Sequence, residues 1–592
     1  MRIFTSIALM CTCAFTALSQ QTDLPVGFTP LEKQQLTEGD FVISGNRGIE
    51  TPPPFENLRA MAEWEEIQAL TIAWTSYPGI LKQIVREAKE ETRVIILSED
   101  VDATETYLMG NQAGGPLDNM DNVTILDSNY DSVWMRDYAG NPVYGNEVDD
   151  LVMVDWIYNR PNRPNDDASP EDIANELGIE LYCITQAPAD LVNTGGNFMC
   201  DGFGTAFASE LILDENDFNN PYDVTVKTSE EIDQIMLDYL GLDRYIKMET
   251  LPYDDIHHID MHMKLIDEET ILVGQFPEGE SDGPQLNANI EYVLSNYNSK
   301  WGTPYKIVWI PMVPNGQGEY APFAYYRTYT NAVFVNKKVI LPTYNTTYDP
   351  QALAIWEEAL PGYEIISIDC DNNPEVIIAA SGAIHCITHA VGVADPLLIS
   401  HQPLPDTEDN VNPYIVNAYM NHRDGVASGT LYWKTEIDAD YLEVAMTDAG
   451  NNIWTANIPT QAWGTTVYYY VRGEATTGKV QVRPMPAPEG YWSFDVIGDI
   501  ISVDEPIGFD FGNVYPNPAG AMTVVPVVFK ENTHGGIYLY DMLGQKVFTI
   551  YEGQFARGEK KHFFDARNVS AGLYNIVIET AYGRVSQTLM VK

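Results

Sequence analysis

A mixed α/β region followed by two small all-β modules is the architecture the sequence predicts. Three observations carry it. Up to about residue 396, helical periodicity alternates with short apolar runs. From about 413 to 497, stretches rich in Tyr, Trp, Val and Thr recur between turn residues, as in a small sandwich. Residues 511–592 have the same all-β texture. The total of 592 residues is long enough for several domains.

The elements follow in order. Residues 1–19 read as a signal peptide, with Arg2 as the positive start, a mostly apolar run from Ile3 to Leu18, and small residues near Ser19. That run is short for a membrane span, and no later stretch makes a good one. Residues 20–56 read as a leader ending at Thr51-Pro52-Pro53-Pro54. Helices are expected over Ile80–Glu91 and Pro170–Leu177, with a strand at Val94–Leu97. A polar-bearing strand, a turn and an apolar strand recur: His257–Ile266 then Thr270–Val273, Thr328–Val335 then Val339–Leu341, and more loosely Gly195–Cys200 then Ala206–Leu213. Such recurrence hints at a radial array. The Pro- and Asp-rich stretch 396–412 reads as a linker, and a second break falls near 498–510.

Composition bounds the function. Lys and Arg total 33 against 85 Asp and Glu, a formal net charge of −52. A nucleic-acid backbone would be repelled, whereas a cationic substrate suits the field. An acidic surface also keeps an exported protein soluble. With 35 Tyr, 20 Phe and 11 Trp there is ample core material, which excludes disorder throughout. Cys11 and Cys13 fall in the signal; Cys183, Cys200, Cys370 and Cys386 remain. A mature chain of this size does not need a disulfide framework.

Five short clusters hold candidate chemistry. His258 and Asp260 would share one face of a strand, as a base and a carboxylate should. His258 and His262 also stand four apart, a metal-ligand spacing; the zinc signature, however, needs Glu directly after the first His, where Ile259 stands. Cys386 lies among small residues between His385 and His389 and suits a thiolate, although a lone buried Cys is commonly structural. Trp134 can stack on a planar cation and Asp137 can accept its paired hydrogen bonds; in isolation Arg136 and Asp137 read as a surface pair. Arg160 and Arg163, near prolines, suit carboxylate capture or simply an exposed loop. Gly195, Gly196 and Asn197 would let backbone approach a ligand, or form a tight turn.

Taken in order, and with Met61–Glu65, Ile72–Trp74 and Tyr329–Ala332, these clusters resemble the guanidine-modifying superfamily over about residues 57–396. Within it they are most similar to bacterial peptidylarginine deiminases of the agmatine deiminase-like group. The resemblance implies a five-fold pseudo-symmetric α/β propeller. It implies Cys386 as nucleophile, His258 as general acid/base, and Asp137 and Asp260 as the carboxylates that grip a guanidinium. Asn331 would orient the cysteine. Trp134, Gly196 and Asn197 would line the pocket, and Arg160 and Arg163 would read a substrate carboxylate. The family spacing is Arg-Pro-Arg, whereas here Arg160-Pro161-Asn162-Arg163 has one residue more, which turns one side chain away in an extended loop. No metal or organic cofactor is required by this chemistry.

The tail resembles the type IX secretion sorting domain. Val514–Pro518, Ile537–Val547, Ala571–Tyr574 and Lys592 carry that likeness, and the 413–497 region resembles an immunoglobulin-like module by pattern and position. Together these imply a secreted or cell-surface enzyme, exported through the periplasm. Its partners would be arginine-containing peptides or proteins and the type IX machinery, with no nucleic acid and no transmembrane segment. Its reaction would turn arginine into citrulline, releasing ammonia through a covalent thiouronium intermediate. Deimination of agmatine or free arginine, amidino transfer, a metallohydrolase using His258 and His262, and an inactive secreted binding protein are the alternatives. Intact Cys386, His258, Asp260 and Asp137 weigh against the last.

Overall fold

The computed structural model describes residues 24–41, 43, 47–344, 346–497, 508–541, 545–580 and 583–592. The expected signal peptide lies outside the described residues, as does the Met542–Gly544 part of the tail motif. The chain divides into two compact units, one ending at Val496 and one beginning at Ile497.

The first unit opens with α/β structure built from one repeated connection. A short strand pairs antiparallel with a longer one; a helix then crosses to a third strand parallel to the second. Asn141–Tyr144, Leu151–Tyr158 and Glu180–Ile184 form one such set, with helix Pro164–Leu177 as the crossover. Met199–Cys200, Thr205–Ser209 and Arg244–Met248 form another around helix Ser229–Leu240. Met263–Leu265, Thr270–Gln275 and Lys306–Pro311 follow with helix Gly283–Asn296. Val333–Val335, Lys338–Thr343 and Glu364–Asp369 follow with helix Asp349–Ala359. In the last set, His389–Gly392 pairs with Ile67–Ala73, which lies beside Arg93–Ser98 across helix Pro78–Ala88. That pairing ties the end of the α/β region to its beginning.

The repeat follows from local rules. A hairpin joins antiparallel neighbours cheaply, whereas a parallel step needs a long crossover, usually a helix. The helices carry their own stop and start signals: Ser229–Leu240 has a Thr228/Glu231 capping box and ends at Gly241 in the left-handed region. The middle strands are covered on both faces, so they read as apolar runs; Ile72, Ile96, Val273 and Ile340 are fully buried.

Several local expectations are corrected. The first helix runs Pro78–Ala88, because Pro78 occupies its first turn. The second begins at Pro164 and carries Pro170 inside it. There the ring leaves the Asp166 carbonyl without its helical donor, and the Ser169 hydroxyl donates to it at 2.8 Å instead. His257–Ile266 is not one strand. Ile259–Met261 is a 3-10 turn, and the strand is only Met263–Leu265. Strand alternation therefore does not place His258 and Asp260 together. Likewise only Val333–Val335 of the 328–335 stretch is a strand, and Gly195–Asn197 is a 3-10 turn before Met199–Cys200. In all three places polar and apolar side chains are both buried, so no outward face selects a regular strand.

The described parts of the expected leader pack into the α/β region. Helix Pro30–Glu38 is held there, and Ile49 bridges to Tyr182. A Cβ on Gly48 would come within 2.5 Å of the Leu181 carbonyl oxygen. Arg47 forms buried ion pairs with Asp155 and Asp167.

An all-β sandwich completes the first unit. One sheet orders Leu398–Ser400, Tyr414–Asn421, Ile453–Ile458 and Thr447–Asp448; the other centres on Val426–Lys434 and Thr465–Ala475. Leu398–Ser400 lies in the stretch expected as a linker; Leu397 and Ile399 fill the sandwich core and so bind it to the module. The second unit is also all-β. Met522–Phe529 pairs with Phe509–Phe511 and Gly558–Asp565, and a four-stranded sheet runs through Thr533–Asp541 and Gly572–Thr580. Cys183, Cys200, Cys370 and Cys386 are all free and buried. Among the described residues no helix is long and apolar enough to cross a membrane.

Arg59 makes a two-pronged buried pair with Glu65, at 2.5 and 3.0 Å. Removing one partner strands a buried charge. Glu65→Ala is expected to lower unfolding stability by about 3–5 kcal/mol, read from urea unfolding of the first unit.

Candidate active site

Polar residues in short turns just before the first strand of each set meet in one place. Asp137 lies in the turn Met135–Tyr138, ahead of Asn141–Tyr144. Gly196 and Asn197 lie ahead of Met199–Cys200, and His258 and Asp260 ahead of Met263–Leu265. Asn331 lies ahead of Val333–Val335, and Cys386 ahead of His389–Gly392. All are buried.

Contacts across these turns define the geometry. The Asn331 amide donates to Cys386 Sγ at 3.2 Å, while its carbonyl oxygen accepts from the backbone N–H of His385 at 3.0 Å. Cys386 Sγ is 3.8 Å from Asp260 Oδ2. The Arg136 N–H donates to the Cys386 carbonyl at 3.1 Å. Asp137 Oδ1 is 3.5 Å from His258 Nδ1. Gly196 leans on that pair: a Cβ there would be 2.3 Å from His258 Nδ1 and 3.0 Å from Asp137 Oδ1. Asn197 makes a structural contact, its side-chain oxygen accepting from the Ser209 N–H at 2.8 Å.

The two carboxylates differ in their surroundings. Asp260 Oδ2 lies 2.7 Å from His385 Nδ1, and His385 Nε2 lies 2.9 Å from Glu63 Oε1. Lys264 holds the other Glu63 oxygen at 2.7 Å. Burial works to raise the pKa of Asp260, but the hydrogen bond and charge of His385, with His258 and Arg136, outweigh it and leave it below the usual carboxylate range. Asp137 has no such partner. Burial, then the charge of Asp260, pushes its pKa up to about 7. Burial lowers His258 to about 3, so the imidazole is neutral. Burial and the charges of Asp260 and Asp137 hold the Cys386 thiol well above its ordinary value.

Both oxygens of Asp137, Oδ1 of Asp260 and both ring nitrogens of His258 are buried without a hydrogen bond. Buried polar atoms are normally paired, so these are aimed at something the protein does not itself supply. Two carboxylates facing a sulfur and an imidazole can hold a flat cation bearing N–H groups. Among the described residues, no group of three or more His, Cys, Asp and Glu is arranged to hold a metal ion. His262 is buried, with Nδ1 unpartnered.

Of the remaining sequence candidates, one lines a vestibule of about 350 Å³ that reaches His257 and Ser381. Arg160 lines it. Arg163 turns away into a buried ion pair with Glu32 at 2.8 Å. Trp134 is fully buried, and its indole N–H donates to the Leu24 carbonyl at 2.8 Å. Sequence reasoning missed the roles of Glu63, Lys264 and His385. Two signals were present: Glu63 lies within Met61–Glu65, and His385 is adjacent to Cys386.

Gly196→Ala is expected to cut turnover at least a hundredfold while the fold survives, because the added methyl meets the His258 ring. Paired kinetic and circular dichroism measurements would show the separation; a variant with near-normal turnover would contradict it.

Comparisons with known proteins place the chain among relatives. A Legionella pneumophila protein that goes under the name agmatine deiminase is 26% identical over 335 residues, covering 55% of this chain and 87% of its own. A Vibrio parahaemolyticus protein of the same name is 23% identical over 371 residues, covering 58% and 99%. The solved C. jejuni agmatine deiminase overlays with a TM-score of 0.45 at 22% identity, covering 56% of this chain and 96% of that one. Residues 513–592 match the secretion system C-terminal sorting domain. That domain marks the chain for export, to secretion or to the cell surface. Residues 59–391, which carry every polar turn of the site, match the Porphyromonas-type peptidyl-arginine deiminase model, and the chain belongs to that family.

Proposed function

We propose that the protein is an exported cysteine hydrolase that deiminates the guanidinium of arginine in peptides or proteins. The observation that carries the reading is the unpaired oxygens of Asp137 and Asp260 beside Cys386 and His258. A guanidinium is the flat cation that such a slot suits.

The chemistry then follows. Asp260 is charged beforehand and fixes two N–H groups. The arriving cation stabilises ionised Asp137, whose pKa burial and the Asp260 charge push up to about 7. The same positive charge favours the Cys386 thiolate. The thiol proton passes to His258, which is neutral and able to accept it. Sulfur adds to the guanidinium carbon, and His258 delivers the proton as the C–N bond breaks and ammonia leaves. A water molecule then gives one proton to His258 and its oxygen attacks the thiouronium carbon; as the C–S bond breaks, His258 returns that proton to the sulfur, and the remaining hydroxyl proton is lost to solvent to give a ureido group. Asn331 steadies the sulfur throughout. No organic cofactor is needed in this scheme.

The five repeated strand–strand–helix–strand sets support a five-fold pseudo-symmetric propeller around the site. Its domain order is a signal peptide at 1–19, a leader at 20–56, the catalytic domain at 57–396, an immunoglobulin-like sandwich at 413–497 and the sorting domain at 511–592. The sorting domain engages the type IX machinery after passage through the periplasm. A second reading, deimination of agmatine or free arginine, is favoured by the burial of Arg163 against Glu32, which leaves Arg160 as the arginine at the vestibule.

Citrulline formed from two matched peptides, one ending in arginine and one with arginine internal, tests the reading, with agmatine alongside. Ureido product that disappears in Cys386→Ala is expected. Product from agmatine alone would move the assignment to the second reading, and none from any substrate would reject the chemistry.

Asp137 offers an independent check. A carboxyl whose folded pKa is raised costs stability above its unfolded pKa, near 3.8, and the cost grows until about pH 7. Asp137→Asn is therefore expected to stabilise the protein, little at pH 4 and most at pH 7 and above, by on the order of 1–3 kcal/mol. Turnover should fall at least a thousandfold. Thermal unfolding across pH reads the first effect; a stability difference that shrinks as pH rises would contradict it.

A further inference from the structure

Residues 24–38, which the sequence suggested only as a leader, line the vestibule and reach the stretch just before Cys386. Three consecutive carbonyls are held by arginine side chains. Arg163 Nη2 donates to Pro25 at 2.9 Å and to Gly27 at 3.0 Å, and Arg160 Nε donates to Val26 at 3.0 Å. Trp134 binds the carbonyl before them, at Leu24. The Val26 N–H donates to the Ala380 carbonyl at 3.1 Å. Its side chain is fully buried, and a Cβ on Gly382 would come within 2.9 Å of it. Gly382 leads directly into Cys386.

The segment is locked at its far end. Glu32 accepts from Arg163 Nε at 2.8 Å and Nη2 at 3.2 Å, and from the Thr29 N–H at 2.7 Å. One carboxylate thus caps helix Pro30–Glu38 and fixes Arg163, whose side chain is fully buried. Leu36 packs against Ile157, Val192, Tyr222 and Val224. Between the two ends, Phe28 lies 4.2 Å under the Arg160 guanidinium. Pro25, Gly27, Phe28 and Lys33 line the vestibule together with Arg160, Glu215, Asp255 and His257.

We propose that residues 24–38 are a resident wall of the substrate vestibule, with Arg163 and Glu32 as its anchoring pair and Phe28 as its substrate-facing side chain. Arg163 is then a positioning residue: it holds the wall, while Arg160, stacked on Phe28, faces the incoming molecule. The wall narrows the vestibule for any guanidine substrate, with or without a carboxylate. A removable plug would have the same contacts but the opposite kinetic consequence. Buried Val26 and Glu32, with half-buried Leu36 against its apolar cluster, favour permanence, since departure would expose apolar surface and leave the Arg163 charge without its partner.

The part of this inference that concerns substrate rests on the proposed deiminase reading; the part that concerns covering Cys386 does not. Two measurements on the full chain separate them. The first is the rate at which iodoacetamide alkylates Cys386, followed by peptide mass. Glu32→Ala is expected to raise that rate at least fivefold, with Glu32→Asp restoring much of the protection and Phe28→Ala giving a smaller rise. An unchanged rate in both alanine variants would overturn the wall. The second measurement is steady-state deimination of agmatine and of an arginine-ended peptide. Phe28→Ala is expected to raise KM at least threefold for both with kcat within about twofold of the parent. A rise in kcat/KM in Phe28→Ala and Glu32→Ala would identify a plug instead, and so overturn the proposal. If no substrate turns over, the deiminase reading fails, and the alkylation rates still decide whether residues 24–38 cover the thiol.

Discussion

Everything at the site depends on keeping one carboxylate charged in a place without water. Asp260 is buried, and an isolated buried carboxylate would take up a proton. It stays ionised because His385 bridges it to Glu63, which in turn is held by Lys264 with Arg136 close by. The relay behind Asp260 uses one acid, Glu63, and three nitrogen bases, His385, Lys264 and Arg136, from separate turns and strands. None of them is required to touch a substrate. Their work is to fix the charge and aim of Asp260, so that one oxygen faces His385 and the other is left over.

The asymmetry between Asp260 and Asp137 gives the site its logic. If both were fully compensated, a cation would gain little by entering. If neither were, both would be protonated and neither would attract one. One prepared charge and one latent charge make ionisation of the second depend on the ligand. Burial, then the same two acids, holds the Cys386 thiol above its ordinary value, and a positive charge beside it would favour the thiolate.

Much of this was legible in the sequence. The α/β-then-all-β order followed from periodicity and composition, and the polar clusters were visible as His, Asp and Cys gathered in short stretches. How those clusters reach one another was not. Strand alternation was invoked for His258 and Asp260, but a 3-10 turn sets their positions. The turn is short, it buries Ile259 and Met261 beside Asp260, and it leaves no periodic trace. Glu63 was hidden for a different reason. Its importance comes from Lys264 and His385, far along the chain, and no local pattern announces a long-range ion pair. The extra residue between Arg160 and Arg163 did signal that the two side chains diverge, although only the structure reveals Glu32 as the partner of one.

The β-sandwich belongs in the same argument. Arg483 donates to the Trp64 carbonyl at 2.6 Å, and Lys479 pairs with Glu66 at 2.7 Å. Glu66 also accepts from Gln481, and its carbonyl accepts from the Val393 N–H. These contacts grip the turn 61–66 from outside, while Glu63 extends from its inner side toward His385. The turn is buried by Met61, Ala62 and Trp64. A turn held on both sides is restrained when the ions in the site change, and Glu63 on it holds the far nitrogen of His385 while Asn331 holds the His385 backbone. The sandwich therefore bears on the site through rigidity: it holds the turn that carries Glu63, the partner of His385.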